Sequence, residues 1–174
     1  MSIADKNDDS GAQTSVLTKE WSPPVYGQSS RVRIDYQRAE ECHCILAGKM
    51  AGGMLNSIKI LRTRLLSRAR EKGWRTILVT SARPGEGKTV MAINLAFALA
   101  REHQQTVVLV DGDLRNPSIA DYLGISVKQG LADYFLNNVP LNEIILWPGI
   151  EKLTLVPGGQ AVPDSAELIG SPAM

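Results

Sequence analysis

The stretch that decides the fold runs from residue 76 to residue 99 and reads Thr76-Ile-Leu-Val-Thr-Ser, Ala82-Arg-Pro-Gly-Glu-Gly-Lys-Thr, then Val90-Met-Ala-Ile-Asn-Leu-Ala-Phe-Ala-Leu. The first piece is β-branched and apolar, which predicts a buried parallel strand over Thr76–Thr80. The last piece is rich in Ala and Leu and free of Gly and Pro, which predicts a buried helix. A glycine-rich loop that ends in Lys-Thr between a strand and a helix is typical of a phosphate-binding P-loop.

The residue types of this loop suit a polyphosphate. Gly85 and Gly87 let backbone N–H groups approach an anion closely, and the helix that follows directs its free N–H groups and its positive dipole end to the same place. Lys88 can reach the β- and γ-phosphates and the Thr89 hydroxyl can bind Mg²⁺. Ala82 stands where the motif usually has its first glycine. We therefore predict an ATP and Mg²⁺ site, rather than a chance Gly-rich turn, formed by Pro84, Gly85, Glu86, Gly87, Lys88, Thr89 and Val90.

Two acidic residues follow the next apolar run. The run Thr106–Val110 predicts a second strand, which would form a right-handed parallel βαβ unit with the first strand. Asp111 and Asp113 then lie at the carboxyl end of this strand, the edge at which open α/β sheets bind ligands. Carboxylates there suit water-mediated Mg²⁺ binding and proton abstraction, and the alternative is an Asp-Gly turn with solvated acids. We predict Lys88, Asp111 and Asp113 as catalytic residues and Thr89 and Asp113 as metal ligands.

Length and composition bound the class of protein. The 174 residues are enough for one core, and a net charge of +1 gives no case for nucleic-acid binding. The sequence shows no signal peptide and its longest apolar run, Val90–Ala100, is too short to span a bilayer. The expectation is a cytoplasmic protein that reaches the inner face of the membrane only through a partner. Cys42 and Cys44 flank His43, and they are interpreted as reduced thiols rather than metal ligands.

Two regions are expected along the chain. Residues 1–47 are polar and contain few large apolar side chains, which predicts a mostly disordered tail, although the alternation Val32, Ile34, Tyr36 leaves open a short strand or docking segment. Residues 48–174 are predicted to form the P-loop domain. Further expected elements are helices over Met54–Lys72, Pro117–Leu123 (capped by Asn116), Gly130–Asn137 and Leu141–Leu146, a strand over Lys152–Val156, and a last helix capped by Asp164.

One face of the predicted helix Met54–Lys72 is strongly basic. Met54, Ile58, Leu61 and Leu65 recur at spacings of three and four and form its apolar stripe. The opposite face is either a solvated surface, or a contact for another subunit or an anionic partner. Its basic residues are Lys59, Arg62, Arg64, Arg68, Arg70 and Lys72.

Several motifs together carry a specific resemblance over about residues 54–174. Ser81-Ala-Arg-Pro-Gly-Glu-Gly-Lys-Thr, Leu109-Val-Asp-Gly-Asp-Leu-Arg-Asn-Pro, Leu155-Val-Pro-Gly-Gly and Asp164-Ser-Ala-Glu-Leu resemble the bacterial tyrosine kinases of the CpsD/CapB type. The resemblance implies an α/β fold, a MinD/ParA-like P-loop NTPase with a parallel sheet flanked by helices, incomplete at the C-terminus. It also implies an ATP-dependent protein-tyrosine autokinase that regulates exopolysaccharide or capsule biosynthesis and export.

The same resemblance implies partners and residue roles. The partners are ATP or ADP, a transmembrane chain-length regulator of the Wzz/CapA kind, and further copies of the chain in a homo-oligomer. Asp111 is the candidate to accept the tyrosine hydroxyl proton, or alternatively supports the metal site indirectly. Arg115 is a candidate for a pair across a subunit interface, or alternatively for a local salt bridge.

The sequence departs from that family at three points. The family's third motif, an apolar strand ending in Asp, is not found before Met174, so we expect a truncated chain that transfers phosphate poorly. The family's tyrosine cluster is also absent, and its Glu-x-x-Arg-x-x-Arg oligomer helix reads Asn56-x-x-Lys59-x-x-Arg62. Two alternatives are therefore kept: a MinD/ParA-like ATPase switch, which Arg83 and Pro84 disfavour, and a non-catalytic ATP-sensing subunit of an export machine.

Overall fold

A computed structural model of the chain describes residue 27 and residues 29–44, 52–103 and 105–169. The predicted boundary at residues 47 and 48, Tyr26 and Met174 lie outside these residues. In chain order the described elements are β1 (Ser30–Arg31), α1 (Tyr36–Glu41), α2 (Gly52–Lys72), α3 (Lys88–Ala100), β2 (Val107–Val110), α4 (Ile119–Tyr122), α5 (Leu131–Asn137), α6 (Leu141–Ile144), β3 (Leu146–Trp147), β4 (Leu153–Val156) and α7 (Ser165–Ile169).

The strands form one sheet in the order β1-β3-β4-β2. The long pairing is parallel and joins β2 to β4, from Val107 opposite Leu153 to Val110 opposite Val156. β1 also pairs in parallel with β3, but β3 runs antiparallel to β4. The sheet is therefore mixed, and the expectation of a parallel sheet is wrong at this pair. The short turn between β3 and β4, residues 148–152, explains the direction, because a parallel pair would need a long crossover connection.

Residues 76–80 correct a second expectation. They run without regular strand structure, and no ladder joins them to other described residues. They are also not buried, since Leu78 is 85% exposed and Ile77 40%. A β-branched composition favours an extended chain, but a strand exists only where a neighbour supplies hydrogen bonds. The predicted βαβ pairing of residues 76–80 with β2 does not form.

Helix α3 is the centre of the core. Its apolar residues pack on the face of the sheet to which Leu109, Leu153 and Leu155 belong. Leu109 alternates with Val108 and Val110, which are 58% and 48% exposed, so β2 presents only one face to this core. The residues that α3 contributes to the core cluster are Ile93, Ala96, Phe97 and Ala100.

Helix α2 packs on α3 and confirms the helix predicted over Met54–Lys72. Ile58, on the predicted apolar stripe, is buried. Arg62, from the basic face, forms an ion pair of 2.8 Å with Glu102 and donates a hydrogen bond to the Ala98 carbonyl at 3.4 Å. Arg62 is thus engaged within the chain, whereas Lys59 is exposed.

Residues 29–44, which we term the N-terminal arm, dock on the domain. Val32 N–H donates to the Trp147 carbonyl at 3.0 Å and continues the pairing of β1 with β3. Ile34, Ala39 and Cys44 are buried in the same core cluster as α3. Within the stretch interpreted as a mostly disordered tail, this part is therefore the docking segment that the alternative interpretation proposed.

Polar contacts fix the arm as well. Asp35 caps α1 by accepting hydrogen bonds from the backbone N–H groups of Gln37 and Arg38. Asp35 N–H in turn donates to the Leu123 carbonyl at the end of α4 at 3.0 Å. The approach is close at Gly124, where an added Cβ would lie 2.5 Å from the Asp35 Cβ. The side-chain amide of Asn94, inside α3, donates to the His43 carbonyl at 3.0 Å.

The remaining elements agree with the sequence except at two boundaries. The helices α3, α5 and α7 and the strands β2 and β4 are formed where they were expected. Helix α4 begins at Ile119 with Ser118 as its N-cap, so Asn116 is not the cap and Pro117 is not the first helical residue. The helix expected over residues 141–146 ends at Ile144, and Leu146–Trp147 form β3. No helix among the described residues is long and apolar enough to cross a membrane.

The docked arm predicts the reactivity of Cys44. The sequence contains two cysteines, so a Cys42→Ser variant reports on Cys44 alone. Burial, together with the nearby Cys42, raises the pKa of the Cys44 thiol to about 11, and we expect slow modification by a thiol reagent at pH 8. Asp35→Ala removes the cap of α1, worth about 1 kcal/mol, and should speed modification roughly fivefold. Glu40→Ala, at an exposed position of α1, is the control, and modification of the parent variant at the rate of a free thiol would contradict docking.

Candidate nucleotide-binding site

The P-loop is an open glycine cradle at the start of α3. Gly85 and Gly87 have φ of 80° and 85°, and a Cβ at either position would meet no atom within 4 Å. Glycine is needed there for its backbone conformation, while the space beside it stays free. Gly87 is the N-cap of α3 and provides no side-chain cap, so the first N–H groups of the helix are left for another acceptor.

The loop is shaped by its own side chains. The Arg83 backbone N–H donates to Glu86 Oε2 at 3.1 Å, and the Ser81 hydroxyl donates to the Arg83 carbonyl at 3.0 Å. Glu86, predicted among the binding residues, therefore folds the loop and remains exposed. Pro84 is exposed beside it and Val90 is half-buried in the first turn of α3.

Lys88 and Asp113 meet at the edge of the cradle. Lys88 Nζ lies 2.9 Å from Asp113 Oδ2, and each side chain is about one-third exposed, at 34% and 30%. The hydrogen bond between them lowers the pKa of Asp113 and raises that of Lys88, so both groups stay charged at neutral pH. The structure thus brings together two residues that the sequence assigned to one site from segments 25 positions apart.

Asp111 is buried behind this pair and has a different environment. Asp111 is only 4% exposed. Burial raises the pKa of its carboxyl, although the hydrogen bonds that the carboxyl accepts act in the opposite direction. Oδ2 accepts from the N–H groups of Ser118 at 2.8 Å and Ile119 at 2.9 Å, and Oδ1 accepts from Asp113 N–H at 3.3 Å. Both oxygens therefore accept hydrogen bonds from the backbone of the loop that carries Asp113. Asp111 positions this loop.

The loop between β2 and α4 is held at several further points. Asp113 Oδ1 accepts from Asn116 N–H at 3.1 Å, and Leu114 is buried. Arg115 donates from Nε and Nη2 to the Pro163 carbonyl at 3.3 and 3.2 Å, so this guanidinium makes a local contact. Of the two alternatives for Arg115, the local contact is the one found within this chain, but its partner is a backbone carbonyl and not the acid of a salt bridge.

The loop after β4 supports the same region. A Cβ at Gly158 would lie 2.5 Å from the Pro117 Cβ, and a Cβ at Gly130 would lie 2.3 Å from the Gly159 nitrogen. Leu131 N–H also donates to the Pro157 carbonyl at 2.8 Å. These close backbone approaches explain why the segments Gly130-Leu and Pro157-Gly-Gly have small residues at their contact.

The sequence did not single out Ser118. Its hydroxyl oxygen lies 3.2 Å from Thr89 Oγ1, the predicted Mg²⁺ ligand. The contact joins α3 to the N-cap of α4 across 29 residues of sequence. No local spacing signals such a contact, and the expected cap at Asn116 hid the position further.

The donor set fits Mg²⁺. Mg²⁺ prefers oxygen ligands, keeps several waters, and takes only one or two groups from a protein beside the phosphates. The Thr89 hydroxyl and the partly exposed Asp113 carboxylate are oxygen donors beside the cradle. Within the described ranges no cluster of three or more His, Cys, Asp or Glu could hold a metal by itself.

Comparisons with known proteins find similarity to P-loop NTPases and to tyrosine-protein kinases. The family model described as ParA, NUBPL iron-transfer P-loop NTPase, matches residues 74–146. The putative tyrosine-protein kinase AmsA of Erwinia amylovora is 30% identical over 115 residues, which are 66% of this chain and 16% of AmsA. The tyrosine-protein kinase CpsD of Streptococcus agalactiae is 30% identical over 110 residues, 63% of this chain and 47% of CpsD. YwqD of Bacillus subtilis is 28% identical over 65% of this chain and 47% of its own length.

The chain has the fold of a ParA-like P-loop domain and is similar in sequence to bacterial tyrosine kinases. Among solved structures this ParA-like domain resembles the chimerical protein CapA2B2 with a TM-score of 0.66 and 26% identity, over 87% of this chain and 62% of that one. The BceF tyrosine kinase domain, at 24% identity and a TM-score of 0.65, shows the same fold over 87% of this chain and 63% of its own. The predicted P-loop fold class is confirmed. The domain spans about half the length of the curated relatives CpsD and YwqD.

The burial of Asp111 predicts a structural effect of its removal. Asp111→Ala leaves the buried N–H groups of Ser118 and Ile119 without their acceptor, and we expect a loss of about 3 kcal/mol in unfolding free energy. Glu151→Ala removes an exposed acid of the same charge and should stay within about 0.5 kcal/mol. Urea unfolding of the three proteins measures the difference. Equal midpoints and slopes for Asp111→Ala and the parent chain would refute the positioning role.

Proposed function

We propose that this chain is the ATP-binding part of a protein-tyrosine kinase that regulates exopolysaccharide or capsule biosynthesis. The observation that carries the proposal is the Lys88–Asp113 pair of 2.9 Å at the edge of an open glycine cradle. The tyrosine-protein kinase names of the relatives, and the capsule name CapB among them, support the reaction and its setting. Phosphoryl transfer depends mostly on positioning and on charge neutralisation, and this arrangement of residues can supply both.

Each residue at the cradle has an assigned task. The backbone of residues 84–90 and the Lys88 ammonium bind the β- and γ-phosphates, and the Thr89 hydroxyl binds Mg²⁺. Mg²⁺ held by these residues would neutralise charge on the phosphoryl group that is transferred. Asp113 holds Lys88 at the mouth of the loop and has a partly exposed carboxylate that can meet the water shell of the metal.

The acceptor hydroxyl of tyrosine needs a carboxylate within reach. The sequence offered Asp111 and Asp113, and the surroundings of the two carboxylates separate their tasks. Asp111 is buried and its oxygens accept three backbone N–H groups, whereas the Asp113 carboxylate, which accepts Asn116 N–H and pairs with Lys88, is 30% exposed. We therefore assign contact with the incoming hydroxyl to Asp113, and to Asp111 the support of the loop that carries it.

Lys88→Met tests the nucleotide site. The charge-assisted contact with phosphate is worth about 1.5–3 kcal/mol, so the affinity for Mg-ADP in calorimetry should fall roughly 10- to 150-fold. Lys128→Met, which changes an exposed lysine away from the P-loop, should leave the affinity unchanged. Equal affinity of Lys88→Met and the parent chain for Mg-ADP would show that the P-loop lysine does not bind the nucleotide.

Incubation of the parent chain and Lys88→Met with labelled ATP and a tyrosine-rich peptide distinguishes the kinase from its alternatives. We expect slow labelling of tyrosine that disappears in Lys88→Met. Hydrolysis of ATP without label on tyrosine would instead favour a MinD/ParA-like ATPase switch. Nucleotide binding with neither reaction would favour an ATP-sensing subunit.

We also propose that the chain associates with copies of itself and with a CapA-like membrane protein. The name of the similar CapA2B2 chimera supports the second partner. Arg62 is engaged with Glu102 within the chain, so exposed Lys59 is the better probe of the basic helix face. Lys59→Glu should lower the sedimenting mass if this face joins subunits, and Lys128→Glu is the control. An oligomer distribution that does not change in Lys59→Glu would contradict the assignment of this face.

A further inference from the structure

Ser118 occupies a capping position without acting as a cap. It is the N-cap residue of α4, yet its hydroxyl makes no hydrogen bond to the backbone of that helix. The Asp111 carboxylate takes over this task by accepting the N–H groups of Ser118 and Ile119 at 2.8 and 2.9 Å. The Ser118 hydroxyl therefore does not make the capping hydrogen bond that a serine at a helix N-terminus usually makes.

The hydroxyl instead faces the P-loop helix. Ser118 Oγ lies 3.2 Å from Thr89 Oγ1, and both residues are half-buried. The backbone N–H of Ser118 is fixed by Asp111, and the preceding Pro117 packs against Gly158. The backbone that carries the Ser118 side chain is therefore held by a buried carboxylate and by packing of the preceding residue.

We propose that Ser118 is a positioning residue that orients the Thr89 hydroxyl toward Mg²⁺. A hydroxyl that binds a cation uses an oxygen lone pair, so its hydrogen must find an acceptor on another side. Ser118 Oγ is at hydrogen-bond distance to accept that hydrogen. Partners of this kind hold a ligand in the orientation that a metal needs. The inference rests on the proposed nucleotide function and adds to it a residue from outside the P-loop.

The experiment separates metal positioning from general support of the fold. ADP affinity is measured by calorimetry at graded Mg²⁺ concentrations and in EDTA, for the parent chain, Ser118→Ala and Ser118→Thr. We expect Ser118→Ala to weaken the apparent Mg²⁺ affinity of the ADP complex 10- to 100-fold while ADP affinity in EDTA stays within about twofold. Ser118→Thr keeps a hydroxyl and should restore the Mg²⁺ dependence. Ser126→Ala, at an exposed serine, is the matched control.

The outcomes are distinct from a failure of the proposed function. An unchanged Mg²⁺ dependence in Ser118→Ala overturns the positioning role while nucleotide binding stands. An equal loss of ADP affinity with Mg²⁺ and in EDTA also overturns it, because it marks a merely structural residue. If the parent chain does not bind ADP under either condition, the proposed function fails and this inference fails with it. Thermal unfolding of Ser118→Ala near the parent midpoint is expected, since Asp111 and not the hydroxyl caps α4.

Discussion

The buried carboxylate of Asp111 is the constraint on which the site depends. A charged group in this position is costly unless hydrogen bonds compensate for lost water, and here three backbone N–H groups offset part of that cost. Those bonds in turn determine the course of the chain from β2 to α4. They fix where the loop turns, where the helix begins, and how far Asp113 extends toward Lys88. The raised pKa of Asp111 shows that burial outweighs the hydrogen bonds in their effect on this group.

The two acids thus divide one task between them. The inner carboxylate holds the backbone, and the outer carboxylate stays partly exposed beside a charged neighbour. Such a division would suit the proposed phosphoryl transfer, in which the reacting groups need rigid placement more than covalent help. The two acids therefore depend on each other, because the Asp113 carboxylate reaches Lys88 from a loop that Asp111 holds.

The sequence predicted what depends on local pattern. The loop, α3 and the pair Lys88 and Asp113 follow from glycine placement, apolar runs and the rule that ligands bind at the carboxyl ends of strands. Contacts between distant segments were not predictable in this way. The strand expected over residues 76–80 needed a hydrogen-bonding neighbour, and the antiparallel β3 begins at the last residue of a segment expected to be helical. Ser118 was missed because the capping bond that its type suggests is made by Asp111.

The N-terminal arm has a consequence for how the protein is made. Its partners in the sheet, Leu146 and Trp147, are synthesised more than a hundred residues after β1. During synthesis the arm leaves the ribosome long before the edge on which it docks exists. For that interval Ile34, Ala39 and Cys44 have no core to enter, and nascent chains with such exposed apolar groups are those that chaperones bind. The arm is therefore expected to dock late in synthesis, after β3 and β4 have left the ribosome.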